Sequence, residues 1–528
     1  MAERTKKGFL HSTAIVAFFT ILSRITGLLR EQVRAYYLGT GMGSDAFGIA
    51  ATIPNMMRRL FAEGAMTAAF LPFFSEYKDL TKKERDLFFS GFMTIFILMM
   101  LLVTTLGIIF AGPLVRLMFG SGFGKVAGKV ELTIHLTQII FPYLFLISIA
   151  AMLQATLNSY KVFGPSAFTP VLLNLTIVGG VIIFAGKMEH PSYAFAIAFS
   201  IGGLLQLLFQ VPWLRRFRIS MSFTFKGLRH PGVRNVFKVF LPGVLAAGVY
   251  QVNLLISRIV ASTLDQGSVS SLQFSGRLQE IVLGIFAVSV ATVLLPALSE
   301  DAVSGDKERF KNTLNRSTAL VVFITLPASV GLIVLARPIV TLLYGYGQFG
   351  KHSIDMTVFA LYFHASGIIF IALLRNVLQA FYARKDLKTP AIIASIDMFI
   401  HFLLCITLSK PLHQGGIALA GSISAFINLA ALLYMLHRSF GRLGLRNLIM
   451  SMARTSLASL AMAGVIWMAA KHYNLYGSIG RLDLGIRLSA VIAGGIVTFL
   501  LASLIVHSRE TGEIMAIFKD RFSAKRQP

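Results

Sequence analysis

Arginine side chains interrupt segments of the chain that are otherwise hydrophobic. Arg24 and Arg30 lie in the first apolar segment, Arg58 lies in the second and Arg277 lies in the eighth. An ionisable side chain is costly inside a membrane span unless it faces a hydrated cavity or a partner. The planar guanidinium group stays charged and binds phosphate through two parallel hydrogen bonds. These four arginines therefore predict a hydrated cavity that binds an anionic ligand bearing phosphate.

Acidic residues and a further arginine accompany this set. Arg59 and Glu63 are four residues apart and Arg277 and Glu280 are three apart, so each pair can meet on one helix face. Asp45 lies in the same segment as Arg59. The predicted ligand-binding set therefore also contains Asp45, Arg59, Glu63 and Glu280.

A structural alternative stays open for the arginines, because such side chains also pair within the protein or extend to the membrane interface. We favour this alternative for Arg34 and Arg59, which are less deeply placed than Arg24 or Arg277.

Proline lacks an amide proton and interrupts helices. Pro54 is therefore predicted to break the second segment shortly before Arg58.

A second polar set lies in the second half of the chain. Asp397 and His401 are four residues apart in an apolar segment and share a helix face. Neighbouring segments offer amide and hydroxyl oxygens at Asn253, Ser422, Ser424 and Asn428. A carboxylate with such oxygens is suited to Na⁺, and the Asp397 and His401 pair is suited to a proton. The alternative is a hydrogen-bonded group that fixes helix packing.

The composition identifies the elements that must position these residues. The chain has 528 residues, of which 55% are hydrophobic and 14% charged, with a net charge of +26. A soluble globule or a disordered chain is excluded, and the apolar residues suffice for about fourteen membrane-spanning helices. The single cysteine, Cys405, excludes an internal disulfide and a cysteine-based zinc cluster. We therefore predict an all-α polytopic membrane protein with fourteen spans.

The distribution of basic residues predicts the topology. Loops assigned inside carry roughly 30 Lys and Arg, against roughly 9 in the loops assigned outside. Both termini are therefore predicted to be cytoplasmic. The cytoplasmic loops account for the excess of basic residues, so we predict no nucleic-acid partner. Inter-span loops of about 5–15 residues favour helices over a barrel.

Short motifs repeat at an offset near 225 residues. Pro-Phe-Phe-Ser-Glu at 72–76 recurs as Pro-Ala-Leu-Ser-Glu at 296–300, and the segments 113–120 and 338–345 match similarly. The repeat predicts two parallel six-helix lobes that rock around a cavity lined by the three least hydrophobic spans, which are the first, second and eighth. The predicted parts are a lobe at 1–214, a basic linker at 215–238, a second lobe at 239–440 and two extra helices with a basic tail at 441–528.

Three motifs resemble those of a known family. Ser-Arg-Ile-Thr-Gly-Leu-Leu-Arg at 23–30, Ile-Pro-Asn-Met-Met-Arg-Arg-Leu-Phe-Ala-Glu-Gly at 53–64 and Gly-Arg-Leu-Gln-Glu at 276–280 are similar to motifs of the lipid II flippase family MurJ, also called MviN. This family belongs to the multidrug/oligosaccharidyl-lipid/polysaccharide exporter superfamily. The resemblance extends over about residues 10–440.

The resemblance implies a fold, an activity and site residues. It implies a fourteen-helix protein of the bacterial inner membrane that moves lipid II from the cytoplasmic to the periplasmic leaflet for cell-wall synthesis, without a cofactor. Family arginines needed for function match Arg24, Arg30, Arg58 and Arg277, and family acidic positions match Asp45 and Glu63. The two extra C-terminal helices are implied to hold the lipid tail.

The sequence departs from the family pattern at two places. Gly276 stands where some relatives have an acidic residue, and Asn253 replaces a carboxylate of the family's sodium site. His401 is a poor Na⁺ ligand, so coupling to protons or to the membrane potential stays open.

Two alternative functions stay open, namely a flippase of another lipid-linked oligosaccharide and a drug antiporter of the same superfamily. An enzyme is disfavoured because the sequence has neither Asp-x-Asp nor His-Glu-x-x-His, and one chain holds both lobes, so a monomer with membrane lipids around it suffices.

Overall fold

The computed structural model describes residues 2–60, 65–225, 227, 230–285, 287–441, 445–477, 480–508 and 510–512. All regular secondary structure in these residues is helical, in agreement with the all-α prediction. Contacts within the chain divide it into two units. The first contains residues 1–270 and 347–349, and the second contains residues 271–346 and 350–528.

The first unit is built from ten helices and the first residues of an eleventh. The helices are α1 (Ala2–Leu38), α2 (Met42–Ala50), α3 (Thr52–Arg58), α4 (Ala65–Tyr77), α5 (Lys82–Ile109), α6 (Ala111–Phe123), α7 (Lys129–Ser159), α8 (Gly164–Phe184), α9 (Pro191–Arg216), α10 (Pro231–Ser262) and α11 (Ser268–Ile285).

An aromatic core joins α2, α7 and α9 in this unit. The ring of Phe47 lies 5.4 Å from that of Phe195 and 6.4 Å from that of Phe199, and Tyr143 lies 4.4 Å from Phe199. All four side chains are buried. Edge-on and tilted ring pairs at these distances add to the stabilisation from burial. The core therefore fixes the short helix α2 against the long helices.

The second segment is interrupted, as predicted, and the break falls at Ala51 between α2 and α3. Pro54 lies in the first turn of α3. Its ring nitrogen cannot donate to the carbonyl oxygen of Ala50, four residues earlier, so the helical ladder ends there. The amide of Asn55 resumes it by donating to Ala51 at 3.2 Å.

The second unit contains the rest of α11 and eight further helices. They are α12 (Ala287–Ser304), α13 (Lys307–Val334), α14 (Ala336–Tyr344), α15 (Lys351–Ser366), α16 (Ile368–Ala383), α17 (Lys388–Phe440), α18 (Leu445–His472) and α19 (Arg481–Ile505). Helix α17 consists of two stretches joined at His413, whose φ of 46° is non-helical.

The core of the second unit lies between α13, α18 and α19. The rings of Phe323 and Phe499 are 5.0 Å apart, and Met462, Ile466 and Leu488 are buried beside them. The two C-terminal helices expected at about 448–470 and 485–507 are thus present as α18 and α19.

Eight helices of the described residues are long and apolar enough to cross a membrane, or nine if the bent pair of α15 and α16 forms one span. This count takes α17 as a single helix. The protein is therefore a multi-pass membrane protein, whereas the number fourteen stays a prediction. Helix α10, the first span of the predicted second lobe, packs against α4, α5 and α6 in the first unit. The predicted boundaries of lobes and linker also stay predictions.

Candidate functional site

Arg30 lies on α1, where this helix packs against α8. Its Nη1 donates to Asn174 Oδ1 at 3.1 Å, and its Nη2 lies 2.6 Å from Glu31 Oε1. Asn174 Nδ2 in turn donates to the Ser23 carbonyl and to Thr26 Oγ1, each at 3.2 Å. A quarter of the Arg30 side chain, 25%, stays exposed. The guanidinium group is therefore oriented by the protein and still accessible to a ligand.

Arg24 lies on the same helix and is half-buried. Six residues separate it from Arg30, which corresponds to about 120° around an ideal helix. Helix α1 continues through Gly27 without interruption. The two arginines therefore lie on different faces of one uninterrupted helix, and their joint contact with one ligand stays a prediction.

Arg34 has a structural role, as we favoured from the sequence. Its Nη2 donates to the Ser44 carbonyl at 2.9 Å, and its Nη1 lies 3.5 Å from Glu31 Oε2. Its guanidinium carbon lies 5.5 Å from the centre of the Phe47 ring. Arg34 thus connects α1 to α2, and Glu31 bridges Arg34 and Arg30.

Asp45 is buried in a fully hydrogen-bonded position. Its Oδ2 lies 2.8 Å from Lys129 Nζ and accepts the amide of Gly267 at 2.8 Å. Its Oδ1 accepts the amide of Ser270 at 2.9 Å and the hydroxyl of Ser270 at 2.7 Å. The side chains of Asp45 and Lys129 are only 1% and 3% exposed. In this conformation Asp45 connects α2 to α7 and to the start of α11, and its role toward a ligand stays a prediction.

The second segment positions Arg58 close to the interruption of the helix. Arg58 is half-buried, and its Nε donates to Asn55 Oδ1 at 3.3 Å. Arg59 is exposed. Glu63 lies outside the described residues, so the predicted pairing of Arg59 with Glu63 stays a prediction.

Arg258 is an unexpected contact of the same region. This residue of α10 donates from Nη1 to the Gly48 carbonyl at 3.3 Å and to the Thr52 hydroxyl. Arg258 therefore connects α10 to both sides of the interruption between α2 and α3.

In the second unit, Arg277 lies on α11 with its predicted partner. Arg277 Nη1 lies 3.2 Å from Glu280 Oε2, so the proposed ion pair is present. Its Nε is buried and has no hydrogen-bond partner among the described residues. The helix is held by His364 of α15, whose Nδ1 lies 3.0 Å from Ser275 Oγ and whose carbonyl accepts Gln279 Nε2 at 2.6 Å. Arg277 is thus paired with Glu280 on an anchored helix, and 30% of its side chain stays exposed.

The polar set around Asp397 lies between the two stretches of α17. Asp397 Oδ1 accepts the Ser424 hydroxyl at 2.6 Å, and its Oδ2 accepts Asn428 Nδ2 at 3.3 Å. His401 Nε2 lies 3.4 Å from Cys405 Sγ. The structure thus brings together Asp397, Ser424 and Asn428 as a buried hydrogen-bonded group. This is the arrangement expected if the group fixes the packing of the helices.

Ser422 and Asn253 complete the set of coupling-ion candidates. Ser422 Oγ lies 2.8 Å from the Phe363 carbonyl and 3.2 Å from the Ala418 carbonyl. Asn253 lies in the first unit, and its Oδ1 is buried without a hydrogen-bond partner among the described residues. The described residues contain no group of three or more His, Cys, Asp or Glu placed to hold a metal ion.

The sequence did not single out some residues that belong to these networks, among them Glu31, Lys129, Asn174 and Arg258. A signal existed for Asn174, because it is a strongly polar residue within the apolar segment 166–186. Polar residues within a span face the interior of a helix bundle or a wet cavity. Lys129 and Glu31 lie at or near the ends of spans, where charge is common, so the sequence did not distinguish them.

A sequence model described as "Lipid II flippase MurJ" matches residues 34–485 of this chain. The chain is 34% identical over 513 residues to the "Probable lipid II flippase MurJ" of Vibrio cholerae, covering 95% of this chain and 97% of the relative. It is 33% identical over 422 residues to the "Lipid II flippase MurJ" of Burkholderia cenocepacia, covering 78% and 81% of the two chains.

Solved structures show the same fold. The structure titled "Lipid II flippase MurJ, inward closed conformation" matches with a TM-score of 0.78 and 29% identity, over 95% of this chain and 100% of that one. An inward-facing multidrug resistance MATE family transporter of the MOP superfamily matches with a TM-score of 0.66, 16% identity and 80% of this chain covered, against 95% of its own. The second likeness concerns the fold alone.

Proposed function

This chain belongs to the lipid II flippase MurJ family, and from this premise we propose that it moves lipid II from the cytoplasmic to the periplasmic leaflet of the bacterial inner membrane. The proposed mechanism is alternating access, in which a ligand drives the change by binding two conformations with different affinity. The observation that supports the proposal within the structure is the orientation of Arg30 and Arg277 by neighbouring protein groups, on helices that correspond to the predicted first and eighth spans.

The proposed ligand of these arginines is the pyrophosphate of the substrate, with Arg24, Arg30, Arg58 and Arg277 as its principal contacts. Arg30 supports this role because Asn174 and Glu31 orient it while part of it stays exposed. Arg277 supports it because 30% of its side chain stays exposed beside Glu280. A pyrophosphate offers acceptors that suit guanidinium donors. Asp45, Arg59, Glu63 and Glu280 would orient these arginines or contact the headgroup.

The polyprenyl tail would stay in the bilayer along α18 and α19. Support comes from apolar side chains of these helices that are strongly exposed, such as Leu482 at 84%, Ile486 at 71% and Leu460 at 65%. Large exposed apolar surface on a membrane helix is suited to contact with hydrocarbon. Fourteen spans, cytoplasmic termini and a monomeric state complete the proposal.

The proposed driving force is the membrane potential, which is worth about 2.3 kcal/mol per elementary charge per 100 mV. A cytoplasm-negative potential favours outward movement of an anionic headgroup. Coupling to Na⁺ or to a proton would use the group of Asp397, Ser424 and Asn428, with His401 next to it. Proteoliposomes given a potential, a Na⁺ gradient or a pH gradient separately distinguish these sources. Flipping under a Na⁺ gradient alone, and not under a potential alone, contradicts the membrane potential as the driving force.

The decisive experiment uses cells that survive on this gene. Arg24→Gln and Arg277→Gln are expected to abolish growth and to lower the labelled lipid II accessible from the periplasm, while precursor accumulates inside. Arg116→Gln, an exposed arginine of α6, is the matched control and should leave both readouts unchanged. Normal growth with membrane-inserted Arg24→Gln or Arg277→Gln contradicts the arginine role. If lipid II exposure does not change when this protein is depleted from the cells, the protein is instead a flippase of another lipid-linked oligosaccharide.

A further inference from the structure

An apolar groove of about 690 Å³ opens on the first unit, between the first half of α1, the start of α8 and the end of α9. Its volume lies in the range of roughly 300–1,000 Å³ that small-molecule pockets have. The lining is mainly aromatic and includes Ile15, Phe18, Phe19, Phe168, Phe209 and Trp213.

The aromatic residues of the groove form one connected surface. The ring of Phe168 lies 5.3 Å from that of Phe19 and 5.2 Å from that of Phe209. Phe18 and Trp213 are 61% and 37% exposed at the sides. Helices α8 and α9 are long and apolar enough to cross a membrane, and α1 is the predicted first span, so exposed rings here would face lipid and not water. The groove is therefore open to the hydrocarbon chains of the surrounding leaflet.

Basic residues lie next to one end of this groove. Lys161 precedes the lining residue Gly164 by three positions, and Arg215 and Arg216 follow the lining residue Trp213 by two and three. All three basic side chains are exposed. The sequence has no acidic residue at 155–188 or at 190–218, so α8 and α9 themselves contribute no negative charge here. Asp79 and Asp86 lie near Tyr160, and Asp86 is already paired with Arg85 at 2.9 Å. By the distribution of Lys and Arg, this end faces the cytoplasm.

We infer that the groove binds an anionic phospholipid, with an acyl chain against the aromatic lining and the phosphate against Lys161, Arg215 and Arg216. Basic clusters beside membrane helices on the cytoplasmic side select anionic headgroups. The open side of the groove admits a chain from the leaflet, and the basic end selects the charge of its headgroup. This site lies in the opposite half of α1 from Arg30, and none of its lining residues is a proposed substrate contact. The bound lipid would support α1 where it packs against α8.

The chain carries a reporter for this site, because Trp213 lines the groove and Trp467 is the other of its two tryptophans. Brominated acyl chains quench tryptophan fluorescence on contact. The full-length Trp467→Phe variant, reconstituted in phosphatidylethanolamine vesicles, reports on Trp213 alone. The Trp213→Phe variant reports on Trp467, which is 54% exposed on α18. Brominated phosphatidylglycerol should quench Trp213 more strongly than brominated phosphatidylethanolamine at the same mole fraction.

Two sets of variants identify the determinants of binding. Replacing Lys161, Arg215 and Arg216 by Gln should remove the preference of Trp213 for the anionic lipid, since each basic residue near the surface is worth about fivefold in local lipid concentration. Quenching of Trp467 should not change. Lys187→Gln, close to the other end of α8, is the charge control.

The second set tests the apolar lining. Ala14 is an exposed residue that lines the groove, and Ala17 is exposed on the same helix outside it. Ala14→Phe should fill the groove and lower quenching of Trp213 by either brominated lipid. Ala17→Phe should leave this quenching unchanged.

Three outcomes overturn the inference. Equal quenching of Trp213 by the two brominated lipids shows that the groove has no anionic selectivity. A preference that survives loss of the three basic residues shows that they are not its cause. Relief of quenching by equimolar undecaprenyl phosphate, but not by unlabelled phosphatidylglycerol, assigns the groove to a polyprenyl chain. Quenching does not require transport, so this test is independent of the proposed flipping of lipid II.

Discussion

The buried pair of Asp45 and Lys129 yields the sharpest stability prediction. Both side chains are almost completely buried, and the carboxylate also accepts three hydrogen bonds from Gly267 and Ser270. Asp45→Asn keeps the shape of the side chain but leaves the Lys129 ammonium without its counter-charge. Loss of one partner of a buried ion pair costs about 3–5 kcal/mol. We expect the free energy of unfolding to fall by this amount.

Lys129→Met gives the complementary perturbation. Asp45 then keeps its three donors from Gly267 and Ser270, so the expected loss is smaller, about 1–3 kcal/mol. The double variant leaves neither charge buried, and it should be more stable than the sum of the single losses implies, with a coupling energy of about 1–3 kcal/mol.

Reversible denaturation of the full chain by sodium dodecyl sulphate in mixed micelles measures these free energies. Lys187→Met, a substitution of an exposed lysine, controls for the change of net charge. If the single effects add within about 0.5 kcal/mol, the two residues are not coupled and the reasoning is refuted. Coupling would show that the ion pair of Asp45 and Lys129 connects α2 to α7.

Three further substitutions test the remaining contacts. Arg30→Lys keeps the charge but lacks the planar guanidinium group that donates to Asn174 and Glu31 at the same time. Lipid II flipping in proteoliposomes should therefore fall about tenfold. Ser424→Ala removes the 2.6 Å donor to Asp397, and the free energy of unfolding should fall by about 1–3 kcal/mol. Arg258→Met removes the donor to Gly48 and Thr52, and should cost about 2 kcal/mol in the same denaturation assay.

Each of these substitutions has a matched control on an exposed position. Arg116→Lys serves for the first, Ser439→Ala on α17 for the second and Arg234→Met on α10 for the third. Wild-type flipping by Arg30→Lys would mean that charge alone suffices there. If the free energy of unfolding falls no more than in the control, the proposed roles of Ser424 and Arg258 are wrong.

The main features of the fold followed from local properties of the sequence. Long apolar segments predicted the helical membrane protein, and Pro54 predicted the interrupted second segment, because a missing amide donor acts within one helical turn. The spacing of Arg277 and Glu280 predicted their ion pair for the same reason, since residues three apart meet on one face. The break itself falls at Ala51, a turn earlier than the residue that causes it.

The candidate site was only partly predictable. The sequence identified Arg24, Arg30, Arg58 and Arg277 as charges that need a reason to lie in membrane spans. It placed Asp45 among them as a ligand contact, whereas the structure shows this carboxylate saturated by protein donors. The difference arises because a charged residue in a span indicates that a partner exists without indicating which one.

The sequence by itself determined that this chain spans a membrane, that it is helical and that it carries arginines suited to an anionic ligand, and its motifs indicated the family. These properties depend on composition, on the cost of charge in hydrocarbon and on spacings within a helical turn. Only the tertiary structure decided which groups meet: Arg30 with Asn174, 144 residues away, and Asp45 with Lys129, 84 residues away. Such pairs depend on how whole helices pack, and the periodicity of a single helix specifies its buried face but not the side chain on the facing helix.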